Sequence, residues 1–179
     1  MACISKLASA IAYDCDTGAT GLVSAIIINK ADIASYVVEG SSMTVSGFTL
    51  APGAKAYRID TVKRSLVLAS ALKVNEGAPN AYSHSATIIY TGIIDAKGRG
   101  LMSALTNGSF VIMAKTNTLA APRIYGLYYG MSATALDNNS HENGNWTTIT
   151  LETPENVIGE DLVAITAAGY DTLYNAAER

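Results

Sequence analysis

Short segments rich in β-branched residues, separated by turns that contain glycine or proline, run along most of this chain. This pattern is typical of β-strands and limits the chain to a mainly β fold. Strands of this number and length, joined by glycine-rich turns, predict a β-sandwich or β-barrel. The predicted strands cover residues 22–28, 43–50, 57–59, 66–74, 85–94, 110–114, 123–131 and 146–151.

Two of these segments have side chains that alternate between the two faces of a strand, and a third is apolar throughout. Segment 110–114 is apolar throughout and is expected to be buried on both faces. In segment 85–94, one face carries Thr87, Ile89, Thr91 and Ile93, and the other carries Ile88 and Tyr90. In segment 43–50, one face carries Met43, Val45 and Gly47, and the other carries Thr44, Ser46, Phe48 and Leu50.

One short helix is predicted to flank the strands, which makes the fold mainly β in the α+β sense. Leu101, Met102 and Leu105 stand at helical spacing within residues 100–106. The dipeptide at 107–108, Asn-Gly, is a typical helix stop, so we expect two or three turns.

Residues 160–178 fit two different structures. Glu160 and Asp161 precede spaced apolar residues, and acidic side chains stabilise the positive end of a helix dipole. The same stretch could instead be an extended arm that packs on a neighbouring subunit.

The low charge of the chain favours a protein that covers its surface with neighbours. Hydrophobic residues make up 49% of the sequence and charged residues only 15%, whereas ordinary soluble domains carry roughly 25% charged residues. Obligate interfaces resemble a domain core cut in half, so an assembling subunit needs fewer charges. The alternative is a monomer with a surface of Ser, Thr, Asn and Gly.

The distribution of charge argues against proteins that wrap nucleic acid. The formal net charge is −3, and the basic residues are scattered, with Lys63-Arg64 the nearest approach to a cluster. Nucleic-acid-wrapping proteins show a basic stripe.

No window approaches the ~18 continuous apolar residues of a membrane span, and residues 1–12 lack the apolar core of a signal peptide. Without a secretory signal, Cys3 and Cys15 are expected to be reduced thiols.

Candidate catalytic and metal-binding groups are few. His141, Glu142 and Asp137 lie in a polar segment rich in Asn and Gly, where a solvated turn is favoured over a zinc site. The serines that flank His84 point away from it on a regular strand, and no G-x-S-x-G sequence is present. We therefore expect no catalytic residues, no metal and no cofactor.

Two further patterns invite binding hypotheses. Lys97 and Arg99 precede the predicted helix among glycines, but the spacing matches no phosphate-binding motif, so a tight loop is favoured over an anion site. Tyr125, Tyr128 and Tyr129 lie in segment 123–131, with the first and last on one face. Packing in the core or at an interface is favoured over base stacking, because Arg123 is the one basic residue nearby.

Several short patterns follow one another along the chain. They are Cys3 and Cys15 ahead of the strand from Gly21 to Asn29, the strand and helix from Ile88 to Thr106, the strand with Val111, Ile112 and Lys115, Tyr125-Gly126 followed by Gly130, and the strand with Thr147, Ile149 and Leu151 before Pro154. This order of elements resembles the tail tube proteins of tailed bacteriophages, of the kind found in phages of gut bacteria. The resemblance covers most of residues 1–155 and leaves residues 156–179 as a C-terminal extension.

The resemblance implies a structural virion protein that forms stacked, hexameric rings in the phage tail. The rings would contact other tail proteins and let double-stranded DNA pass without specific binding, and no membrane is involved. The segment expected to contact the adjacent ring contains Val38, Glu39, Met43, Val45, Ser46, Phe48 and Leu50. Two alternatives remain: another virion protein of the same fold, such as a tail terminator, and a β-sandwich module that binds carbohydrate or protein.

Overall fold

The computed structural model of this protein describes residues 21–59, 65–90, 96–117, 121–138 and 146–178. Within these ranges the chain forms eleven strands and two α-helices, which confirms a mainly β fold with a flanking helix. The strands are β1 (Leu22–Asn29), β2 (Ile33–Glu39), β3 (Thr44–Leu50), β4 (Tyr57–Ile59), β5 (Leu66–Lys73), β6 (Ala81–Tyr90), β7 (Ser109–Thr116), β8 (Arg123–Tyr125), β9 (Met131–Asn138), β10 (Thr147–Glu152) and β11 (Val163–Ile165). The helices are α1 (Ala96–Asn107) and α2 (Ala167–Ala176).

Strands β1, β7 and β8 form a central layer that is buried on both faces. In β7, the expectation that residues 110–114 are buried throughout is confirmed. Alternate side chains of this strand enter two separate cores, because successive residues of a strand point to opposite faces. Phe110, Ile112 and Ala114 enter the first core, and Val111 and Met113 enter the second.

The two cores are covered by different parts of the chain. The first core is covered by β5, β6, β9 and β10 and by Met102 and Leu105 of α1. The second core is covered by β2, β3 and β11 and by Tyr170 of α2. Each fully buried aliphatic side chain contributes about 2 kcal/mol to folding, so burial in both cores stabilises the central layer.

The strands follow one hydrogen-bonded path, β2-β3-β11-β8-β7-β9-β10-β6-β5, with β1 paired to β7 and β4. In the described part of the chain, β2 and β5 are therefore the two ends of the path, each with one paired side. The last strand, β11, lies inside the path rather than outside it. Residues beyond 155 thus contribute a strand and a helix to the same sheet and core.

The prediction of one strand over residues 123–131 is wrong. Strand β8 ends at Tyr125, residues 126–130 turn, and β9 begins at Met131. Gly126 and Gly130 both have φ of +75°, a backbone conformation that glycine adopts without strain. Tyr125 and Tyr129 therefore do not share a strand face.

The predicted faces of residues 43–50 are wrong beyond Gly47. Gly47 has φ of +59°, and here β3 has one residue more than β2, which is a β-bulge. The bulge shifts the alternation by one residue. Val45, Phe48 and Leu50 consequently all pack against the second core.

The prediction of a loop through Lys97 and Arg99 is also wrong, because α1 begins at Ala96 and includes both. The glycines beside Arg99 are tolerated because Met102 and Leu105 anchor the helix on the first core. In residues 160–178, a helix does form, but it begins after Thr166 rather than at Glu160, which is buried.

Candidate functional site

The hairpin of β2 and β3 carries the residues predicted to contact an adjacent ring. Val45 is fully buried within the chain's own second core. Four more of the predicted residues are half-buried against that core: Val38, Met43, Phe48 and Leu50. Ser46 is half-buried and Glu39 is exposed at the end of β2. The surface that this hairpin offers to a neighbour is thus narrower than the sequence pattern indicates, and its role in contact stays a prediction.

The outer edge of β5 is unpaired in the described part of the chain, and the strand carries exposed apolar side chains. Val67 and Leu72 are 51% and 62% exposed, and Val74 just beyond the strand is 71% exposed. From Leu66 to Leu72 the strand has no charged side chain. Lys73 ends the strand, but its Nζ donates to the carbonyl oxygens of Glu155 and Val157 at 2.7 and 2.5 Å. From Leu66 to Leu72, this edge carries none of the charges, prolines and bulges by which monomeric proteins protect an unpaired strand.

The outer edge of β2 is the second unpaired edge in the described part of the chain. Val37 on this strand is 60% exposed. Tyr36 faces inward, where it stacks on Phe48 with ring centroids 6.4 Å apart. The single charged residue of the strand is Glu39 at its end. Two unpaired edges therefore lie at opposite ends of one sheet.

Three ionisable side chains hold the turn at residues 126–130. The carboxylate of Glu160 accepts the backbone N–H groups of Tyr128 and Tyr129, each at 2.7 Å. The Nδ1 atom of His84 accepts the N–H of Gly126 at 3.0 Å. The Nζ of Lys30 donates to the carbonyl of Leu127 at 2.6 Å. Buried backbone groups of a turn need partners, and these side chains supply them.

Burial shifts the pKa values of two of these groups in opposite directions. Desolvation raises the pKa of Glu160, and the N–H groups of Tyr128 and Tyr129 and the charge of Lys30 partly offset that rise. Desolvation lowers the pKa of His84 from 6.5 to about 4. Both shifts follow because burial penalises the charged form. His84 is thus a neutral acceptor whose Nδ1 lone pair is already used, and its Nε2 has no partner among the described residues.

The remaining candidate groups are not brought together by the described structure. Asp137 is exposed at the end of β9. His141, Glu142, Cys3, Cys15 and the pair Lys63-Arg64 lie outside the described residues. Across the described ranges, no group of three or more His, Cys, Asp or Glu side chains is placed to hold a metal ion. No helix in those ranges has the length and apolarity needed to cross a membrane.

Comparison with known protein families, with curated proteins and with solved structures found no match.

Reasoning from the sequence missed strand β2, which no predicted segment covers, as well as the partners of the turn and the β5 edge. Lys30 and Glu160 are 130 positions apart in the chain and meet only at the turn. No local pattern could pair them. The β5 edge did leave a signal, because residues 66–72 form an uncharged run in a strand-like segment. Such a run predicts a strand but does not by itself place that strand at the edge of a sheet.

Proposed function

We propose that this chain is a structural, non-catalytic protein that assembles with copies of itself through the open edges of its sheet. The observation that carries the proposal is the β5 edge, which is uncharged from Leu66 to Leu72 and leaves Val67 and Leu72 more than half exposed. An edge of this kind is a template for pairing with another strand. A second chain is the partner that would satisfy it.

In its sharpest form, the proposal is a phage tail tube of stacked, hexameric rings. A contact between one edge of the sheet and the opposite edge of the next copy is heterologous, and such contacts generate rings when the rotation closes. The hexamer, the virion location and the role as a conduit for DNA follow from the sequence resemblance. A net charge of −3 suits a channel that lets DNA slide, since a basic wall would hold phosphates.

The first prediction concerns Leu72 on the β5 edge. Wild-type protein is expected to form hexamer-sized species by light scattering, and rings or tubes by negative-stain electron microscopy. Leu72→Lys places a charge on the edge and should leave a folded monomer, because lysine on an edge strand opposes pairing. The matched control is Leu101→Lys on α1, which adds the same charge at a 44% exposed leucine and should assemble normally.

Two results would count against assembly through this edge. One is a wild-type protein that stays monomeric at high concentration. The other is equal assembly of Leu72→Lys and wild type. Circular dichroism of each variant separates loss of assembly from loss of folding.

A second candidate function is a binding module for carbohydrate, which the exposure of Trp146 favours. Its side chain is 50% exposed beside β10, and exposed aromatic rings are typical of such sites. A glycan array tests it: binding that Trp146→Ala abolishes would support the module, and no binding to any glycan would exclude it.

A further inference from the structure

The hairpin of β2 and β3 joins the rest of the sheet at one place. In the described ranges, its backbone ladder continues only through β11, which pairs in parallel with β3 at Ala164 and Ile165. The N–H of Ala164 donates to the carbonyl oxygen of Met43 at 3.0 Å. The N–H of Thr166 donates to the carbonyl oxygen of Val45 at 3.5 Å. The other side of β11 pairs with β8. A strand of three residues thus makes the backbone connection between the hairpin and the body. Hairpin side chains such as Phe48 also pack on the second core, and the ring of Tyr36 lies 6.5 Å from that of Tyr128.

Residues 160–178, which we call the C-terminal strap, are bound to the body at both ends. At the first end, Glu160 and Tyr82 exchange two backbone hydrogen bonds of 2.7 and 2.8 Å. At the other end, Glu178 donates to the carbonyl of Ala56 at 3.0 Å and accepts from the N–H of Arg58 at 2.9 Å. None of these anchors lies on β2 or β3.

Helix α2 adds contacts to β1 and β4, besides packing beside β3 in the second core. The hydroxyl of Tyr170, a buried residue, lies 2.9 Å from that of Ser24 on β1. The guanidinium of Arg58 on β4 lies 4.4 Å from the ring centre of Tyr174, a distance at which cation–π attraction operates. The strap therefore has anchors on β1, β4 and β6 that do not involve the hairpin.

The hairpin, in contrast, is coherent within itself. The β2–β3 ladder runs from Ile33–Leu50 to Glu39–Thr44. The hydroxyls of Ser35 and Thr49 lie 2.7 Å apart across it. An element with many internal bonds and one short backbone connection to its neighbours is expected to open as a unit.

We propose that the C-terminal strap seats the β2–β3 hairpin and thereby sets the position of the open β2 edge. The hairpin can detach from the strap while the strap stays bound to the body. Release of the strap, in contrast, detaches the hairpin as well. The importance of this for assembly rests on the proposed function, whereas the dependence itself is a property of the single chain.

The test measures amide hydrogen exchange on the full-length chain in its monomeric fraction. Ala164→Pro removes the N–H that donates to Met43 and leaves the donor of Ile165 to Pro122 on the other side in place. Loss of one such bond corresponds to about a tenfold change in an opening equilibrium. Protection of amides in β2 and β3, such as Val38 and Val45, should fall at least about tenfold. Protection of β7 amides should change less than about threefold, because β7 does not depend on the hairpin.

The matched control is Ala167→Pro, three residues further along the strap. Ala167 is the first residue of α2, where a missing N–H is tolerated. Amide hydrogen exchange in the hairpin of Ala167→Pro should match that of the wild-type protein. A uniform loss of protection in the hairpin and β7 of Ala164→Pro, or no loss in the hairpin, overturns the proposal.

A second measurement keeps the test valid if Ala164→Pro does not fold. In wild-type protein at low denaturant, the amides of the hairpin should exchange at least as fast as those of β11. Earlier exchange of β11 overturns the proposal. Assembly failing while these exchange patterns hold would refute the proposed function alone, so the two failures are distinguishable.

Discussion

At the scale of single residues, the turn at 126–130 depends on side chains from distant parts of the chain, which bind its backbone N–H and C=O groups. His84, Lys30 and Glu160 each occupy one or two of its polar groups. The turn also needs glycine, because Gly126 is in the left-handed region with little space around it. A Cβ there would lie 3.1 Å from both the nitrogen of Met131 and the carbonyl oxygen of Phe110.

Gly126→Ala is expected to destabilise the protein more than a similar change in open space. The left-handed conformation costs an L-residue about 1–2 kcal/mol, and crowding against backbone adds about 1 kcal/mol or more. Gly47→Ala is the control, since Gly47 has φ of +59° but a Cβ at this position would have no other atom within 4 Å. Urea denaturation measures both. Equal losses would show that crowding at the turn contributes nothing.

Acid should weaken the fold through His84. In the folded chain its pKa is about 4, against an ordinary value of 6.5. Between these values the unfolded chain binds a proton that the folded chain does not, so stability falls as pH drops from 6.5 to 4 and levels off below. The shift corresponds to about 3 kcal/mol in total. Denaturation at several pH values in this range measures the loss.

The contribution of His84 is isolated by two substitutions. His84→Asn keeps an acceptor near the Nδ1 position without titrating, so the pH dependence between 4 and 6.5 should largely disappear. His141→Asn removes the other histidine of the chain and should retain it. Glu160 titrates in all three proteins, so its effect cancels in the comparison. An unchanged slope in His84→Asn would rule out His84 as the cause.

At the scale of elements, α2 begins where a side chain can cap it. The hydroxyl of Thr166 accepts the N–H of Gly169 at 3.2 Å, which satisfies one of the unpaired donors of the first turn. The strand β11 ends at Ile165, directly before the cap. A single residue therefore separates the part of the strap that holds the hairpin from the part that docks on β1 and β4.

Thr166→Ala should lower the free energy of unfolding by about 1 kcal/mol, since removal of a capping oxygen has that typical effect. Thr166→Ser keeps the oxygen and should stay within about 0.5 kcal/mol of wild type. Thermal or urea denaturation provides the comparison. A serine variant as unstable as the alanine variant would show that the methyl group, not the cap, is what matters at this position.

At the scale of the whole molecule, the low charge of the chain and the two open edges of its described part both support the proposed assembly. A monomer with 15% charged residues has few charges with which to protect sheet edges. The shortage of charged side chains is evident on β5, where exposed apolar side chains lie along an unpaired backbone. Pairing between copies would cover the exposed side chains and the unpaired backbone of β5 together. The Leu72→Lys experiment therefore tests the proposed function directly.

The sequence by itself determined the class of the fold and the position of most strands, because periodicity and β-branched residues are local signals. The segment at 110–114 shows this best, since an uninterrupted apolar run can only be buried on both faces. Periodicity failed at Gly47 and Gly126, where a left-handed glycine changes the direction of the chain without changing the apolar pattern around it.

Only the tertiary structure decided which groups meet. Glu160 became a partner of the turn rather than the start of a helix, because its carboxylate is satisfied there by two N–H groups from far along the chain. Val45 entered the core rather than a contact surface, because β11 arrives beside it from the end of the sequence. Sheet edges, buried ionisable groups and the strap all depend on pairings between distant segments, and no local pattern in a sequence records those.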